Sequence, residues 1–427
     1  MRKYFYRLLS SYLRLYARPT DTVLEVDAVS NELREFLENA RSINSEQLRN
    51  GSDALVADYL VFNGNLHYEA DIQNYLRRIR GSLHDETRLL IVTYSALWRP
   101  LIQLATALGL RRKTLESNWL ADADIANFLR LTDFELVRKD DRVLMPFYIP
   151  LLSSLINRYL APLPGFRALA LVNVYVARPL PVIAAESVRP SVSVVVAARN
   201  EAGNIDNIVR RVKAMGPDDE LIFIEGGSSD DTWDRIVQAQ KDNPDRNIVI
   251  GKQEGKGKGD AVRKGFAMSS KDILMILDAD LTVPPEDLPK FYDALVSGKA
   301  EFINGSRLVY PMEKEAMRFL NMLGNKFFAA AFSFVLGQRF KDTLCGTKVM
   351  TRENYQRLAA NRSYFGEFDP FGDFDLIFGA SRMGLKVIEV PITYRERTYG
   401  ETNISRWRHG ALLLVMLVFA SRKLKFI

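Results

Sequence analysis

The residues best equipped for chemistry in this chain are charged groups that follow apolar runs. Asp278-Ala279-Asp280 comes directly after Ile273-Leu274-Met275-Ile276-Leu277 and directly before Leu281-Thr282-Val283-Pro284-Pro285. The unbroken apolar run predicts a buried parallel strand whose carboxyl end opens onto a ligand crevice. Residues two apart in extended chain point the same way, so Asp278 and Asp280 are expected on one face of that crevice. Carboxylates aimed at one spot need a cation between them, and a divalent ion carrying a diphosphate meets that need. A solvated turn is the alternative for so short a triplet.

Other charged groups fall at equivalent places. Val192 to Ala197 reads as a strand that ends in Ala198-Arg199-Asn200-Glu201, and Leu221 to Ile224 as one that ends in Glu225-Gly226-Gly227-Ser228-Ser229-Asp230-Asp231-Thr232. Carboxylates there suit a base and a ribose, because they accept from ring N–H and hydroxyl donors. Helix capping is the alternative for Ser228 to Asp231. Ile248-Val249-Ile250 leads to Glu254-Gly255-Lys256-Gly257-Lys258-Gly259-Asp260, a basic glycine-rich turn whose amides and lysines suit phosphate. Its spacing is not that of a Walker loop, and a solvated turn is again the alternative. Further on, Gly372-Asp373-Phe374-Asp375 opens a helical stretch before the strand Val387 to Pro391. Its two carboxylates, Asp373 and Asp375, are candidates for general-base chemistry. N-capping is the alternative for Asp373.

These groups require strands and helices in series to hold them. Val196-Ala197-Ala198-Arg199-Asn200-Glu201, Glu225 to Thr232, Lys256-Gly257-Lys258-Gly259, Asp278-Ala279-Asp280 and Asn304-Gly305-Ser306-Arg307, in that order, resemble the nucleotide-sugar half of glycosyltransferase family 2. The nearest flavour is that of the dolichol or polyprenyl phosphate sugar synthases. The resemblance implies a glycosyltransferase A type α/β fold in which Ala197, Arg199, Glu201, Glu225 and Lys258 line the nucleotide. It implies that Asp278 and Asp280 hold Mg or Mn with the diphosphate, that Arg307 neutralises a donor or acceptor phosphate, and that Asp373 stands at the base position. In Tyr394 to Asn403 and Arg406-Trp407-Arg408-His409, a similar loop closes over the donor diphosphate in that family. Arg397, Gly400 and Thr402 fit it, while Asn403 replaces a lysine whose charge Arg406 or Arg408 could supply. Ala198 stands where the family has a proline, and Glu225-Gly226 where it has Asp-Asp.

The first half shows the same order of strands and helices. Thr22 to Val26, Tyr59 to Phe62, Arg88 to Tyr94, Phe134 to Val137 and Ala170 to Val176 read as strands. Helical patterns fall at residues 1–18, Asn31 to Ala40, Ile72 to Ile79, Leu101 to Leu108 and Ile125 to Leu129. With Val23-Leu24-Glu25-Val26 first and Asp58-Tyr59-Leu60-Val61 later, this half resembles a class I S-adenosylmethionine-dependent methyltransferase. Such enzymes put a Gly-x-Gly turn after the first strand so that the cofactor can approach the backbone. Here the turn is Asp27-Ala28-Val29-Ser30-Asn31, and Val26 to Tyr59 is too short for the usual second and third strand units. The expectation is therefore two Rossmann-like domains, a methyltransferase-like one at 1–178 without its cofactor and a glycosyltransferase one at 191–427. A proline-rich linker at 179–190 joins them.

Two apolar stretches remain. Leu144 to Pro164 is read as core or domain contact, with interfacial membrane contact as the alternative. Met317 to Phe340 either packs on the other domain or lies in a bilayer surface, and Ala411 to Ala420 suits a buried or interfacial helix. No run reaches the roughly 18 to 20 apolar residues that span a bilayer. The 427 residues carry a net charge of +6, compatible with anionic lipid, nucleotide phosphates or nucleic acid. A single cysteine, Cys345, excludes an intramolecular disulfide and fits a reducing compartment, and Arg7 and Arg14 interrupt what would be a signal-peptide core. The expected function is metal-dependent, inverting transfer of a hexose from a UDP- or GDP-linked donor to a polyprenyl phosphate or other lipid-linked acceptor. It is expected at the cytoplasmic, inner face of a membrane, without nucleic acid. The alternatives are a bifunctional methyltransferase and glycosyltransferase, or a non-catalytic nucleotide-sugar scaffold.

Overall fold

The computed structural model describes all residues except 1, 51–56, 110–117, 182–188, 308–318, 365–371, 373, 394, 396–398 and 400–405. The chain forms two compact units. One comprises Met1–Val182 with Arg382–Gly384 and Arg422–Ile427; the other comprises Ile183–Ser381 with Leu385–Ser421. Much of the expected linker, 182–188, lies outside the described residues.

The first unit is built on six strands: β1 (Val23–Val26), β2 (Ala40–Ile43), β3 (Tyr59–Asn63), β4 (Arg88–Tyr94), β5 (Phe134–Arg142) and β6 (Val172–Pro179). They lie in the order β2-β1-β3-β4-β6-β5. The first four are parallel, whereas β6 runs antiparallel to both β4 and β5. Leu60, Phe62, Leu89 and Ile91 on the sheet and Leu76, Ile79, Ile125 and Leu129 on helices Ile72–Arg80 and Asp122–Leu131 join in one core cluster. The helix expected over Asn31 to Ala40 is absent. Only Asp27 to Asn39 separate two strands that must pair in parallel, and isolated turns such as Arg34 N–H to Asn31 O and Ala40 N–H to Leu37 O return the chain to β2.

Leu144 to Pro164 also departs from expectation. Its Tyr148, Leu151, Leu155 and Tyr159 are exposed, so the stretch is not core. The reason is local. Ser153 and Asn157, one helical turn apart, are the side chains that turn inward, where they bond Ile149 N–H and the Leu144 and Met145 N–H groups.

The second unit holds seven strands: β7 (Val192–Ala198), β8 (Glu220–Glu225), β9 (Ile248–Lys252), β10 (Ile273–Asp278), β11 (Phe302–Ser306), β12 (Lys348–Thr351) and β13 (Val387–Pro391). Their order is β13-β11-β12-β10-β7-β8-β9. β7 to β10 are parallel, as the apolar runs predict, and β12 is inserted antiparallel between β10 and β11. Helix Phe319–Leu336 packs in its own unit, where Phe332 lies 5.2 Å from Phe374 and 6.0 Å from Phe378. Leu413, Met416, Ala420 and Leu424 form the buried face of helix Arg406–Leu424, while Leu414, Val415 and Val418 are exposed. Among the described residues no helix is long and apolar enough to cross a membrane.

Candidate active site

The polar groups of the second unit collect where the parallel strands end. Asp278 is the last residue of β10 and pairs in register with Ala197 on β7, and Ala198 pairs with Glu225 on β8. Parallel strands in register deliver their last residues to one edge, which is why separate sequence motifs meet here.

Asp278 already has a cation. Lys258 Nζ, at the start of helix Lys258–Met268, lies 2.6 Å from Asp278 Oδ1. Burial pushes the Asp278 carboxyl up, but Lys258, the buried Lys348 and Arg307 together hold it below the usual carboxylate range. Gly346 abuts the carboxylate so closely that a Cβ there would sit 2.0 Å from Oδ2. Asp280 is not in extended chain. The strand stops at Asp278, and Asp280 Oδ1 accepts from Thr282 N–H at 3.0 Å and from Thr282 Oγ1 at 2.8 Å. Strand alternation therefore does not govern where Asp280 points; a local turn does.

Glu201 and Glu225 are both buried. Glu201 accepts from Asn204 Nδ2 at 2.7 Å, and its N–H donates to Thr232 Oγ1. Glu225 accepts from Ser228 N–H at 2.5 Å. The loops after β7 and β8 are laced together, because Asn200, at φ 56°, accepts from Ser229 N–H and Ser228 Oγ accepts from Asn200 N–H. Asp230 receives Thr232 N–H and Ala202 N–H, and Asp231 makes no side-chain cap bond. Cross-loop bonding, more than capping, occupies Ser228 to Asp231. Arg199 contributes its Cβ to the same junction, near Gly226.

Arg307 follows β11 and is held by Asp342. Its Nε and Nη2 lie 2.6 and 2.8 Å from the two carboxylate oxygens, a bidentate geometry. Asp342 is buried, and although burial raises its carboxyl, Arg307 brings it below the usual range. Glu389 on β13 fixes this loop by accepting Lys341 N–H and Asp342 N–H at 2.8 and 3.0 Å.

Sequence reasoning missed Asp342, Gly346, Lys348, Glu389 and Tyr399. The signal for the first three was present: the mixed run Asp342 to Lys348 leads into β12, and Lys348, its first residue, is buried with Nζ donating to Cys345 O at 2.6 Å. Tyr399 packs its ring on Gly203 and donates to Asp230 Oδ2 at 3.4 Å, while Arg395 N–H donates to Thr282 O. The chain that carries the expected closing loop thus returns to this edge. Arg397, Gly400, Thr402, Asn403 and Asp373 lie outside the described residues, as do the side chains of Arg406 and Arg408. Gly372, next to Asp373, touches Gly259, with a Cβ on Gly259 only 2.6 Å from Gly372 Cα. Asp375 is bound by Arg362 Nε at 3.0 Å.

Comparison with known proteins gives a family for this stretch. The family model for glycosyl transferase family 2 matches residues 193–359, from β7 through β12. The chain is 32% identical to Glycosyltransferase AglJ of Haloferax volcanii, over 51% of its own length and 68% of that protein. It is 30% identical to the Dolichyl-phosphate hexose transferase of the same organism, over 45% of its own length and 77% of the relative. Against the Dolichol-phosphate mannosyltransferase of Pyrococcus furiosus the identity is 28%, and the chain spans 59% of that relative's length. Among solved structures, glucosyl-3-phosphoglycerate synthase from Mycobacterium tuberculosis with Mn2+, UDP and phosphoglyceric acid aligns at 20% identity and a TM-score of 0.41. That alignment covers 55% of this chain and 79% of the other. The chain belongs to glycosyltransferase family 2 and is a glycosyltransferase.

Proposed function

We propose that the second unit is an inverting, divalent-metal-dependent hexosyltransferase that moves a sugar from a UDP- or GDP-linked donor to a polyprenyl phosphate or other lipid-linked acceptor. It would act as a peripheral protein at the cytoplasmic face of a membrane. The observation that carries this reading is the convergence of Asp278, Lys258, Glu201 and Glu225 on one edge of the parallel strands, with Arg307 anchored after β11. The names of the relatives, which include dolichyl and dolichol phosphate sugar transferases, support the acceptor class.

Glu201 and Glu225 suit donors on the base and ribose, with Ala197 and Arg199 beside them. Asp278 and Asp280 offer the hard oxygen ligands that Mg or Mn prefers. Among the described residues no group of three or more His, Cys, Asp and Glu side chains gathers, so the remaining ligands would be donor phosphate oxygens and water. Such an ion would offset charge developing on the leaving diphosphate. Lys258, which occupies Asp278 here, would exchange that carboxylate for the diphosphate, and Arg397 and Arg406 would add charge from the closing loop. Arg307, held rigid by Asp342, presents charge to the acceptor side. A phosphate acceptor arrives ionised; a hydroxyl acceptor would need Asp373, or Asp375, to take its proton.

The first unit we read as a methyltransferase-like domain that no longer binds S-adenosylmethionine. Asp27, in the turn after β1, accepts from Tyr75 Oη at 2.9 Å and from Ser45 N–H at 2.9 Å, and Asn65 Nδ2 bonds Val26 O and Tyr75 Oη. The polar side chains that follow β1 and β3 are bonded to one another at the edge where a cofactor would lie.

A screen of UDP- and GDP-sugars with Mg or Mn, with and without lipid extract, tests the assignment. Metal-dependent turnover lost in Asp280→Asn is the expected outcome. Tight nucleotide-sugar binding without turnover on any donor, even with lipid, would replace the lipid-linked reading with a sensor.

A further inference from the structure

The first unit has two outward apolar segments that contain no acidic residue, one of them supported from within by polar side chains. Leu97, Leu101, Leu104 and Leu108, spaced four, three and four apart, form one stripe along helix Arg99–Ala107 and its ends, and each is more than half exposed. Leu151 is 81% exposed and sits at φ 63°, a left-handed backbone that leucine seldom adopts. Leu155 and Tyr159 follow it on the same outward side.

The segment from Leu144 to Leu160 is inverted relative to an ordinary surface helix. Ser153 and Asn157 are buried, with Ser153 Oγ donating to Phe147 O and Asn157 Nδ2 to Met145 O. A surface helix in water buries its leucines and exposes its polar groups. Here the backbone is held by buried polar side chains in the arrangement that turns the leucines out. The leucine stripe is tied to the start of this segment through residues 169–171: Trp98 Nε1 donates to Leu169 O at 2.9 Å, Ser95 N–H to Leu171 O, and Leu171 N–H to Val143 O.

Charge selects the occupant. The chain carries 52 Asp and Glu in 427 residues, yet residues 95–109 and 144–170 contain none. They contain Arg99, Arg158 and Arg167, all exposed. Asp122 and Asp141 border these segments beside Leu97 and Arg167, and both are paired with Lys139. An apolar face whose own charged side chains are all arginine, with Tyr148 and Tyr159 exposed on it, matches the boundary between the acyl chains and headgroups of an anionic bilayer.

We propose that this face of the first unit docks the protein on an anionic membrane surface. The proposal extends the reading of a lipid-linked acceptor by giving membrane attachment a place in the chain, and it is tested apart from glycosyl transfer. The full-length protein is centrifuged with phosphatidylcholine vesicles with and without phosphatidylglycerol. It is expected to sediment with the anionic vesicles. The Leu151→Asp/Leu155→Asp variant, and separately Leu101→Asp/Leu104→Asp, should lower partitioning at least about tenfold, the loss expected when leucines leave an apolar phase. Because these side chains are exposed, the melting temperature should not move, and donor hydrolysis without vesicles should be unchanged. Arg167→Glu should weaken the preference for anionic over neutral vesicles. A wild-type protein that stays in the supernatant overturns the proposal, as do acidic variants that sediment like wild type. So does a dimer that Leu151→Asp dissolves while wild type ignores vesicles, since the face then belongs to a second copy. Vesicle binding without sugar turnover would leave the docking face standing and remove the transferase reading.

Discussion

Both units are open sheets whose parallel strands deliver polar residues to one edge, yet the two edges have been used in opposite ways. In the first unit the residue after β1, Asp27, is consumed by Tyr75 and Ser45, and His67 is buried with Nε2 accepting from Tyr94 N–H and Nδ1 donating to Asn118 O. In the second, the loops after β7 and β8 bond one another, but Lys258 and Asp278 remain about a quarter to a third exposed at the edge. The difference lies in the partners: Asp27 is bonded by neutral groups, whereas Asp278 is faced by Lys258, Lys348 and Arg307, cations that suit an anionic ligand. Placement at a strand edge does not by itself make a site, so shared architecture does not carry shared function.

The largest effect should come from the second edge. Asp280→Asn keeps an oxygen for Thr282 N–H and so preserves the turn, but removes the charge. Turnover is expected to fall by roughly 100- to 1000-fold, the scale of losing one preorganised electrostatic partner, while thermal stability holds. Equal loss of stability and turnover would mean that Asp280 serves the fold, and the contrast between edges would fail.

The next effect lies in the first unit and concerns stability. Asp140 on β5 is buried among Arg138 at 2.7 Å, Lys425 at 3.0 Å and Arg142 at 3.7 Å, and also receives the Tyr16 hydroxyl. Burial raises the Asp140 carboxyl, but the three cations outweigh it and hold the group far below the usual range. Asp140→Asn would strand three buried cations and should cost about 3–5 kcal/mol, measured by urea denaturation. The sign with pH follows. A depressed folded value means the contribution is complete above the unfolded carboxyl value near about 4 and is lost as pH falls through the lower folded value. A variant that showed no loss at neutral pH, or lost less there than in acid, would contradict this assignment.

What the sequence made legible, and what it did not, divides along the same physical line. Apolar runs announced β7, β8 and β10, and the acids after them were found, because burial on both faces leaves an unambiguous signature. β2 and β12 were missed, since Ala40-Arg41-Ser42-Ile43 and Lys348-Val349-Met350-Thr351 are short and mixed in polarity. Asp342 was missed with β12, because its partner Arg307 lies 35 residues away and no local pattern joins them. Asp280 was found, but the argument for its direction does not apply: alternation holds only while the chain stays extended, and β10 ends at Asp278. Leu144 to Pro164 was read as core or domain contact, ahead of membrane contact, because leucine density was visible, while the inward turn of Ser153 and Asn157 depends on bonds to their neighbours' backbone.

Gly346→Ala sharpens the comparison at smaller scale. A methyl placed 2.0 Å from Asp278 Oδ2 must displace the carboxylate or β12. If this edge is a working site, turnover should drop about tenfold or more, as small misplacements of reacting groups do, with a stability loss of about 1–3 kcal/mol from overpacking. Turnover preserved in a destabilised variant would show that the position of Asp278 does not matter to transfer.

The smallest effect belongs to the edge of the first unit. Tyr75 is buried, and its hydroxyl both donates to Asp27 and accepts from Asn65; burial first, and then the Asp27 charge, push its ionisation far above the ordinary value. Tyr75→Phe removes both bonds and should cost about 1–3 kcal/mol, because Asn65 is left inside with a donor short of a partner. Sugar turnover should not change. Calorimetry should register no S-adenosylmethionine binding in either wild type or variant, since the backbone after β1 still lacks the glycine turn that close approach requires. Stoichiometric binding by wild type would show that internal bonding had not closed this edge, and the two sheets would then both be working sites.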